Sequence, residues 1–176
     1  MKKGWKKSGV IVGLMLLSAV VGAGSAAYGK SENILASLIK EAGAASDESS
    51  VFDTLSMQSV ADVLKEEGYS AEKLSTDGEE TVQWKMDGYS SYIIPYDEGH
   101  SIQFYICFSG TSATLEKVNE WNKTKRFSRS YLDDEGDPCL ELDLDLAGGI
   151  TRGRLVDYFK TCSVSFDQWH DEVASD

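Results

Sequence analysis

The chain has 176 residues, and its 29 acidic side chains outnumber its 17 basic ones, which sets the formal net charge at −12. This excess of negative charge argues against nucleic acid as a partner, because binding a polyanion requires lysine and arginine to neutralise phosphates. It argues against an anionic membrane surface for the same reason, and its simplest consequence is solubility.

Residues 1–27 have the layout of a secretory signal peptide. Lysines at positions 2, 3, 6 and 7 precede an almost wholly apolar run over 9–23, and small residues follow it up to Ala27. We predict cleavage near Ala27, which gives a periplasmic or secreted protein without a membrane contact and changes the net charge from −12 to −16, since four lysines leave. An uncleaved membrane anchor is the alternative, although the apolar run is shorter than the about 20 residues that span a bilayer.

The rest of the chain is predicted to be a linker followed by one domain. Residues 28–50 form the linker, with a short helix where apolar residues at 34, 35, 38 and 39 share one face. The small and polar run over 43–50 is typical of a connecting segment. Residues 51–176 then form a single domain of ordinary size.

Hydrophobic periodicity predicts the element order α-β-β-β-α-β-β-α in this domain. Helical spacing marks a helix through Val60 and Leu64 that ends at Gly68, a helix over 113–124, and a helix that opens near Thr151. Alternation of apolar and polar residues marks strands over 82–86, 90–96, 101–108, 126–132 and 139–146. Asp-Gly and Glu-Gly dipeptides supply the tight turns between the first strands. The fold class is therefore α+β, an antiparallel sheet of about five strands with the helices packed mainly on one face.

The three cysteines are too few for a disulfide scaffold, and their spacing matches no zinc or redox pair. Alternation places Cys107 and Cys139 on the faces of their strands opposite the apolar residues. A disulfide between them forms only if the two strands are neighbours, and the sequence leaves that connectivity open.

The stretch NEWNKTKRFSRSYLDDEGD, residues 119–137, draws attention because amides, a tryptophan, cations, aromatics and acids follow one another. Asn119 and Asn122 bracket Trp121 near the end of a predicted helix. There the amides can bond unpaired backbone groups while the indole fills the core. We prefer this scaffold interpretation to a binding role.

Closing a hairpin on residues 133–137 predicts which residues of its two strands face each other. Leu132 falls opposite Pro138, and counting back sets Arg129 against Glu141. The same count sets Tyr131 against Cys139 and Phe127 against Asp143, on the face away from the leucines. Aromatics with an arginine among acids have the composition of an interface, so we predict that Phe127, Arg129 and Tyr131 meet a protein partner or a second subunit. A solvated face is the alternative.

The run VNEWNKTKRFSRSYLDDEGDPCLELDLDLAGG, with GYSAEKLSTDGEE and SIQFYICFSG upstream, resembles the YbjN-like domain, a bacterial family labelled a sensory transduction regulator. The resemblance covers about residues 51–173. It implies an α+β fold similar to type III secretion chaperones and a binding or regulatory role without an established enzymatic activity. Secreted members often carry two cysteines before the third strand, and IIPYDEGHSIQF has none, so no disulfide is carried over from relatives.

The residues offer little to a catalytic interpretation. His100 and His170 are the only histidines, so a metal cluster or a histidine-based triad has few parts. No phosphate-binding glycine loop occurs. Asp143, Asp145 and Gly148 begin like a calcium loop, but the ligand and glutamate that should follow are absent. We therefore predict no enzyme activity, no cofactor and no metal site.

Two main hypotheses remain, and they belong to different classes. The first is a non-catalytic secreted or periplasmic module that binds another protein or itself. The second is a small-ligand-binding protein or hydrolase that uses the neighbourhood of Asn119, Trp121, Asn122 and Asp143. A weaker third hypothesis is a divalent-cation sensor on the acid-rich hairpin, residues 133–137.

Overall fold

The structure, a computed structural model, describes residues 50–175. These residues belong to one compact unit. The predicted signal peptide and almost all of the predicted linker lie outside the described residues. Over residues 50–175, no helix is both long enough and apolar enough to cross a membrane.

The described residues form three α-helices and eight strands. The helices are α1 (Met57–Glu66), α2 (Leu115–Thr124) and α3 (Arg152–Trp169), and a π-helical turn over His170–Ala174 continues α3. The strands are β1 (Val51–Phe52), β2 (Ser70–Thr76), β3 (Glu79–Met86), β4 (Tyr89–Tyr96), β5 (Ser101–Cys107), β6 (Arg129–Leu132), β7 (Pro138–Asp145) and β8 (Ile150–Thr151).

Six of these strands form one antiparallel sheet in the order β2-β3-β4-β5-β7-β6. The first two turns are Asp77-Gly78 and Asp87-Gly88, and all four residues have positive φ, as two-residue hairpin turns require. β1 and β8 form a separate two-stranded ribbon. The chain crosses from β5 over α2 to β6, and β7 then returns between them, which makes β6 an edge strand.

The predicted α+β class and the one-sided packing of the helices are confirmed, whereas the strand count was too low. The missing strand of the main sheet is β2, which has few apolar residues because it is an edge strand and most of it is exposed. The two-residue strands β1 and β8 are too short to show any period. α2 begins two residues later than predicted, after its N-cap Thr114.

Each helix turns one apolar face to the same side of the sheet. Thr151 caps α3 by accepting a hydrogen bond from the Arg154 backbone N–H at 3.2 Å, as predicted from its position. The α3 stripe is buried, with Phe159, Cys162 and Trp169 fully inaccessible. The sheet residues that meet the helices are Val82, Trp84, Ile93, Ile102, Phe104, Ile106, Leu140, Leu142 and Leu144. The alternate residues of the same strands therefore point to the other side.

Candidate interaction surface

The side of the sheet away from the three helices is called the open face below. It is formed by residues that alternate with the buried ones, and it carries Gln83, Tyr92, Ile94, Gln103, Tyr105, Arg129, Tyr131, Glu141 and Asp143. Tyr92 lies directly opposite Tyr105, and Tyr105 lies opposite Glu141. Half-buried tyrosines thus run across several neighbouring strands.

Glu141 is the centre of a hydrogen-bonded cluster on the open face. Its side chain is only 7% exposed, although it lies on the side without helices. Arg129 donates to Glu141 Oε2 from Nε at 2.9 Å and also from Nη2. Tyr131 donates its hydroxyl to Oε1 at 2.7 Å, and Gln103 Nε2 lies 3.5 Å from Oε2. A buried carboxylate needs such partners because an unpaired buried charge is strongly unfavourable.

These contacts shift the pKa values of the partners. The hydrogen bond to Glu141 and the charge of Glu141 raise the pKa of the Arg129 guanidinium. Burial, followed by the hydrogen bond to Glu141, raises the pKa of the Tyr131 hydroxyl. Burial together with the charges of Asp133 and Glu141 raises the pKa of Tyr105. At neutral pH the cluster therefore holds a charged arginine and neutral tyrosines.

Cys107 and Cys139 occupy the end of the open face. They lie directly opposite each other on β5 and β7 and are joined as a disulfide. The Tyr105 hydroxyl lies 3.1 Å from Cys107 Sγ. A carboxylate oxygen of Asp133 lies within 4.8 Å of both sulfurs, but sulfurs joined in a disulfide offer no thiolate to a metal.

The acid-rich hairpin next to this disulfide uses Asp133 to close its own turn. One Asp133 oxygen, Oδ1, accepts hydrogen bonds from the backbone N–H groups of Glu135 at 3.1 Å and Asp137 at 2.8 Å. The backbone N–H of Asp133 donates to the Asp137 carbonyl at 2.9 Å. These contacts explain Asp133 as a turn residue and leave the cation-sensor hypothesis without a specific supporting contact.

The predicted hairpin register is confirmed for three pairs and wrong for Phe127. The pairs Leu132–Pro138, Tyr131–Cys139 and Arg129–Glu141 are as predicted, and Ser130 lies opposite Leu140 between them. The strand begins only at Arg129, so Phe127 has no partner across from it.

Phe127 lies in a bend that precedes the strand, two residues before its first residue. The indole Nε1 of Trp121 donates to Ser128 Oγ at 3.0 Å. The chain bends there, and Phe127 adopts a φ of 67°, which is uncommon for a residue with a bulky side chain. Its ring is 71% exposed, with the Arg126 guanidinium 4.7 Å from the ring centre. Phe127 therefore does not share the open face with Arg129 and Tyr131.

Trp121 and Asn122 act as scaffold, in line with the preferred interpretation. Trp121 is 2% exposed and belongs to the core. Asn122 donates to the Ser130 carbonyl at 2.8 Å and accepts from the Ser130 backbone N–H at 2.9 Å. Its amide thus satisfies the outward backbone groups of the edge strand β6.

The four residues of the hydrolase hypothesis are not brought into one site. Asn119 is exposed on α2, and Trp121 lies in the core. Asp143 lies on the open face, where it accepts a hydrogen bond from Gln103 Nε2 at 2.8 Å. Tyr92 and Tyr105 were not predicted from the sequence as candidate binding residues. The alternation of both tyrosines with buried residues is a signal that could have identified them.

A family model and the solved structures of two other proteins are similar to this chain. Residues 56–175 match the family described as "Putative bacterial sensory transduction regulator", YbjN. The crystal structure of YbjN from E. coli superimposes with a TM-score of 0.50 at 14% identity and covers 72% of this chain and 100% of that one. The crystal structure of the Yersinia pestis type III secretion chaperone SycH, in complex with a stable fragment of YscM2, has a TM-score of 0.40 at 15% identity and covers 62% of this chain and 98% of that one.

Among curated proteins, no sequence matches the chain. The family match nevertheless spans about two thirds of the chain, from the N-cap of α1 to the end of the described residues. This chain belongs to the YbjN family.

Proposed function

We propose that this chain is a non-catalytic regulatory module, exported from the cytoplasm, that binds another protein through the open face. The observation that carries the proposal is the one-sided packing of the helices. It leaves Tyr92, Tyr105 and Tyr131 half-buried on a face that no described element covers. Tyrosine and arginine are enriched at protein interfaces, where they often contribute most of the binding energy.

The Glu141 cluster supports this proposal because it holds two of these side chains in place. Arg129 and Tyr131 are both bonded to one buried carboxylate. Side chains that are already ordered lose less conformational entropy when a partner binds. Arg129 nevertheless keeps a side chain that is 63% exposed, so a partner can still reach it.

Export is supported by residues 1–27, which combine a basic start, an apolar run and small residues before Tyr28. A disulfide between Cys107 and Cys139 fits an oxidising compartment. Membership of a family described as a sensory transduction regulator supports a regulatory role.

Site-specific photo-crosslinking in cells that express the full chain tests the proposal. A photoreactive phenylalanine analogue replaces Tyr131 in one variant and Tyr92 in a second. Leu115, which is 73% exposed on α2, is the matched control position. We expect one protein to be cross-linked from both open-face positions and not from position 115.

Each variant must melt close to the wild-type temperature, so that cross-links report the folded protein. Absence of any product from positions 92 and 131 contradicts the proposal. The same product from position 115 contradicts it as well, since that position lies on the helix side.

A further inference from the structure

β7 is longer than the edge strand that covers it. β6 pairs only with Pro138–Glu141, whereas β7 continues to Asp145. β5 pairs with β7 along its length on the other side. The segment 142–145 therefore has an edge that no described strand occupies. An open strand edge presents unpaired N–H and C=O groups to a further chain.

The ladder geometry shows which backbone groups point to this edge. The Pro138 carbonyl accepts from the Phe108 N–H at 3.1 Å, and the Leu146 N–H donates to the His100 carbonyl at 3.0 Å. Even-numbered residues of β7 thus bond toward β5. Because bonding directions alternate along an antiparallel strand, the N–H and C=O groups of Asp143 and Asp145 point outward.

The two parts of this sheet edge, β6 and the end of β7, differ in whether a side chain bonds their outward backbone groups. On β6, the outward backbone groups of Ser130 are both bonded by the Asn122 side chain. On the 142–145 segment, no described residue is in register to bond Asp143 or Asp145 in this way. The open part is therefore confined to the end of β7.

A cavity of about 160 Å³ lies beside this edge, lined by Asp143 and by residues on the helix side, which are Phe127, Leu142, Tyr158, Thr161 and the ion-paired Arg154 and Asp157. Phe127 holds an exposed ring at its rim in a left-handed backbone conformation. Unfavourable backbone conformations in folded proteins cluster at functional sites. An apolar side chain from an added strand would enter this cavity, because alternate residues of a strand point to each side of the sheet.

The charges at this edge identify the kind of strand that fits. Asp143 and Asp145 are exposed on the open-face side of the 142–145 segment. A second copy of the chain is a poor occupant, because two such edges would bring like charges together across the new strand pair. Lysine or arginine opposite these aspartates is favourable, and the net charge of −12 attracts a basic segment at longer range.

We propose that the open end of β7 and the Phe127 cavity bind an extended segment of a protein partner in which basic and apolar residues alternate. The basic residues lie on the open face against Asp143 and Asp145, and an apolar residue lies in the cavity. The inference rests on the proposed function, since it locates where the protein partner adds a strand.

The first experiment uses a fluorescein-labelled synthetic peptide in which lysine alternates with valine and phenylalanine. Fluorescence anisotropy with the full chain should show saturable binding. A peptide with the same apolar residues and glutamate in place of lysine should bind at least about tenfold more weakly, the effect of about 1.4 kcal/mol. Equal binding of the two peptides would overturn the charge assignment.

N-methylated peptides test the strand geometry without changing any charge. A residue opposite Asp143 shares its face and directs its own N–H to the edge, so the lysine amides should face β7. Methylation of the lysine amides should abolish saturable binding, and methylation of the apolar residues' amides should leave it intact. Loss of binding with both peptides, or with neither, would refute strand addition.

Substitutions in the protein, in place of changes to the peptide, test the same edge. Asp143→Pro removes the outward N–H and leaves the ladder to β5 intact. Asp143→Ala removes the same carboxylate and keeps the N–H, which makes it the matched control. We expect Asp143→Pro to bind the lysine peptide about tenfold more weakly than Asp143→Ala, in line with one lost hydrogen bond and an unsatisfied partner. Equal affinities would refute the edge site.

Phe127→Ser leaves the β7 edge unchanged and removes an aromatic ring from the cavity, so it should weaken binding of the peptide's apolar residue. It provides a second variant if Asp143→Pro fails to fold. Photo-crosslinking from position 131 distinguishes the edge site from the proposed function of the open face. If the cross-links persist in Asp143→Pro, the edge site is wrong and the proposed function stands. If Asp143→Pro abolishes them while Asp143→Ala keeps them, the edge is the partner's site.

Discussion

At the scale of single residues, the open face is organised by one carboxylate. Glu141 is buried on the side of the sheet that lacks helices, and two hydroxyl- or guanidinium-bearing neighbours, Arg129 and Tyr131, compensate for its lost solvation. Each of these contacts is a hydrogen bond to a charged group, the kind that contributes most to stability. The residues predicted from sequence as a binding surface therefore also stabilise the fold, and any test of binding has to separate the two roles.

The ionisation of Tyr131 should make the unfolding free energy of the domain fall with pH in the alkaline range. The folded-state pKa of Tyr131 is raised above the ordinary value of 10.0 by burial and by its hydrogen bond to Glu141. The hydroxyl then keeps its proton in the folded state while the unfolded chain loses it. This stabilisation is present below about pH 10 and is lost as pH rises above it. Denaturant titrations from about pH 9 to about pH 11 should show a steeper loss for wild type than for Tyr131→Phe. Equal slopes would mean that Tyr131 does not hold its proton in this way.

Trp121 should be a residue of stability and not of binding. Trp121→Ala removes a core ring and its hydrogen bond to Ser128, and we expect a loss of about 3–5 kcal/mol of unfolding free energy. Asn119→Ala, at an exposed site on the same helix, should stay within about 0.5 kcal/mol of wild type. An unchanged melting temperature for Trp121→Ala would return this residue to the list of candidate binding residues.

At the scale of secondary-structure elements, β7 connects the parts of the sheet. It pairs with β5 on one side and with β6 on the other, and Tyr158 of α3 donates its hydroxyl to the Leu142 carbonyl at 2.8 Å. The disulfide adds a covalent link between β5 and β7 across a sequence separation of 32 residues. These contacts keep β7 in place while the edge of its last residues stays open.

The state of the three cysteines is measurable by alkylation and mass spectrometry. Cys162 is buried in α3, and burial raises the pKa of its thiol, so iodoacetamide should not modify it in the folded protein. Unfolding without reduction should expose one reactive thiol, and unfolding with reduction should expose all three cysteines of the sequence. Three labels without a reductant would show that Cys107 and Cys139 are not joined.

Removal of the disulfide should destabilise the domain. The double variant Cys107→Ala with Cys139→Ala should lose about 2–4 kcal/mol, because the unfolded chain regains the freedom that the closed loop removes. Chemical denaturation with and without reductant measures this change. Wild type under reducing conditions should approach the variant, and a reductant effect on the variant itself would point to another cause.

At the scale of the whole molecule, the proposed cleavage of the signal peptide would change the net charge. Loss of residues 1–27 changes the net charge from −12 to −16, because this segment contains four lysines and no acid. The folded domain would then enter its compartment strongly acidic. Such a domain repels other copies of itself and attracts basic partners.

Intact mass of the exported protein tests the signal prediction. We expect the mature chain to begin close to Tyr28 and to be recovered outside the cytoplasm. Replacement of residues at the apolar run by charged ones should retain the full-length chain inside the cell. A mass that includes residues 1–27 in the exported protein would show that the segment is retained as an anchor.

The sequence by itself determined the types of most elements in the domain. Apolar residues at helical spacing identified α1, α2 and α3, and alternation identified β3, β4, β5 and β7, because each period depends only on neighbours along the chain. The leucine face of β7 and the hairpin turn also predicted the register against β6, since a slip of one residue would expose the leucines.

Only the tertiary structure decided which elements meet. Alternation cannot show that β5 lies beside β7, nor that the polar segment Ser70–Thr76 adds a further strand at the edge, because strand pairing is made by backbone groups that every residue carries. It cannot show the bend at Phe127 either, since a positive φ at a bulky residue runs against the local preference that alternation reflects. The open end of β7 follows from that bend, because the chain leaves the sheet before β6 can cover Asp143.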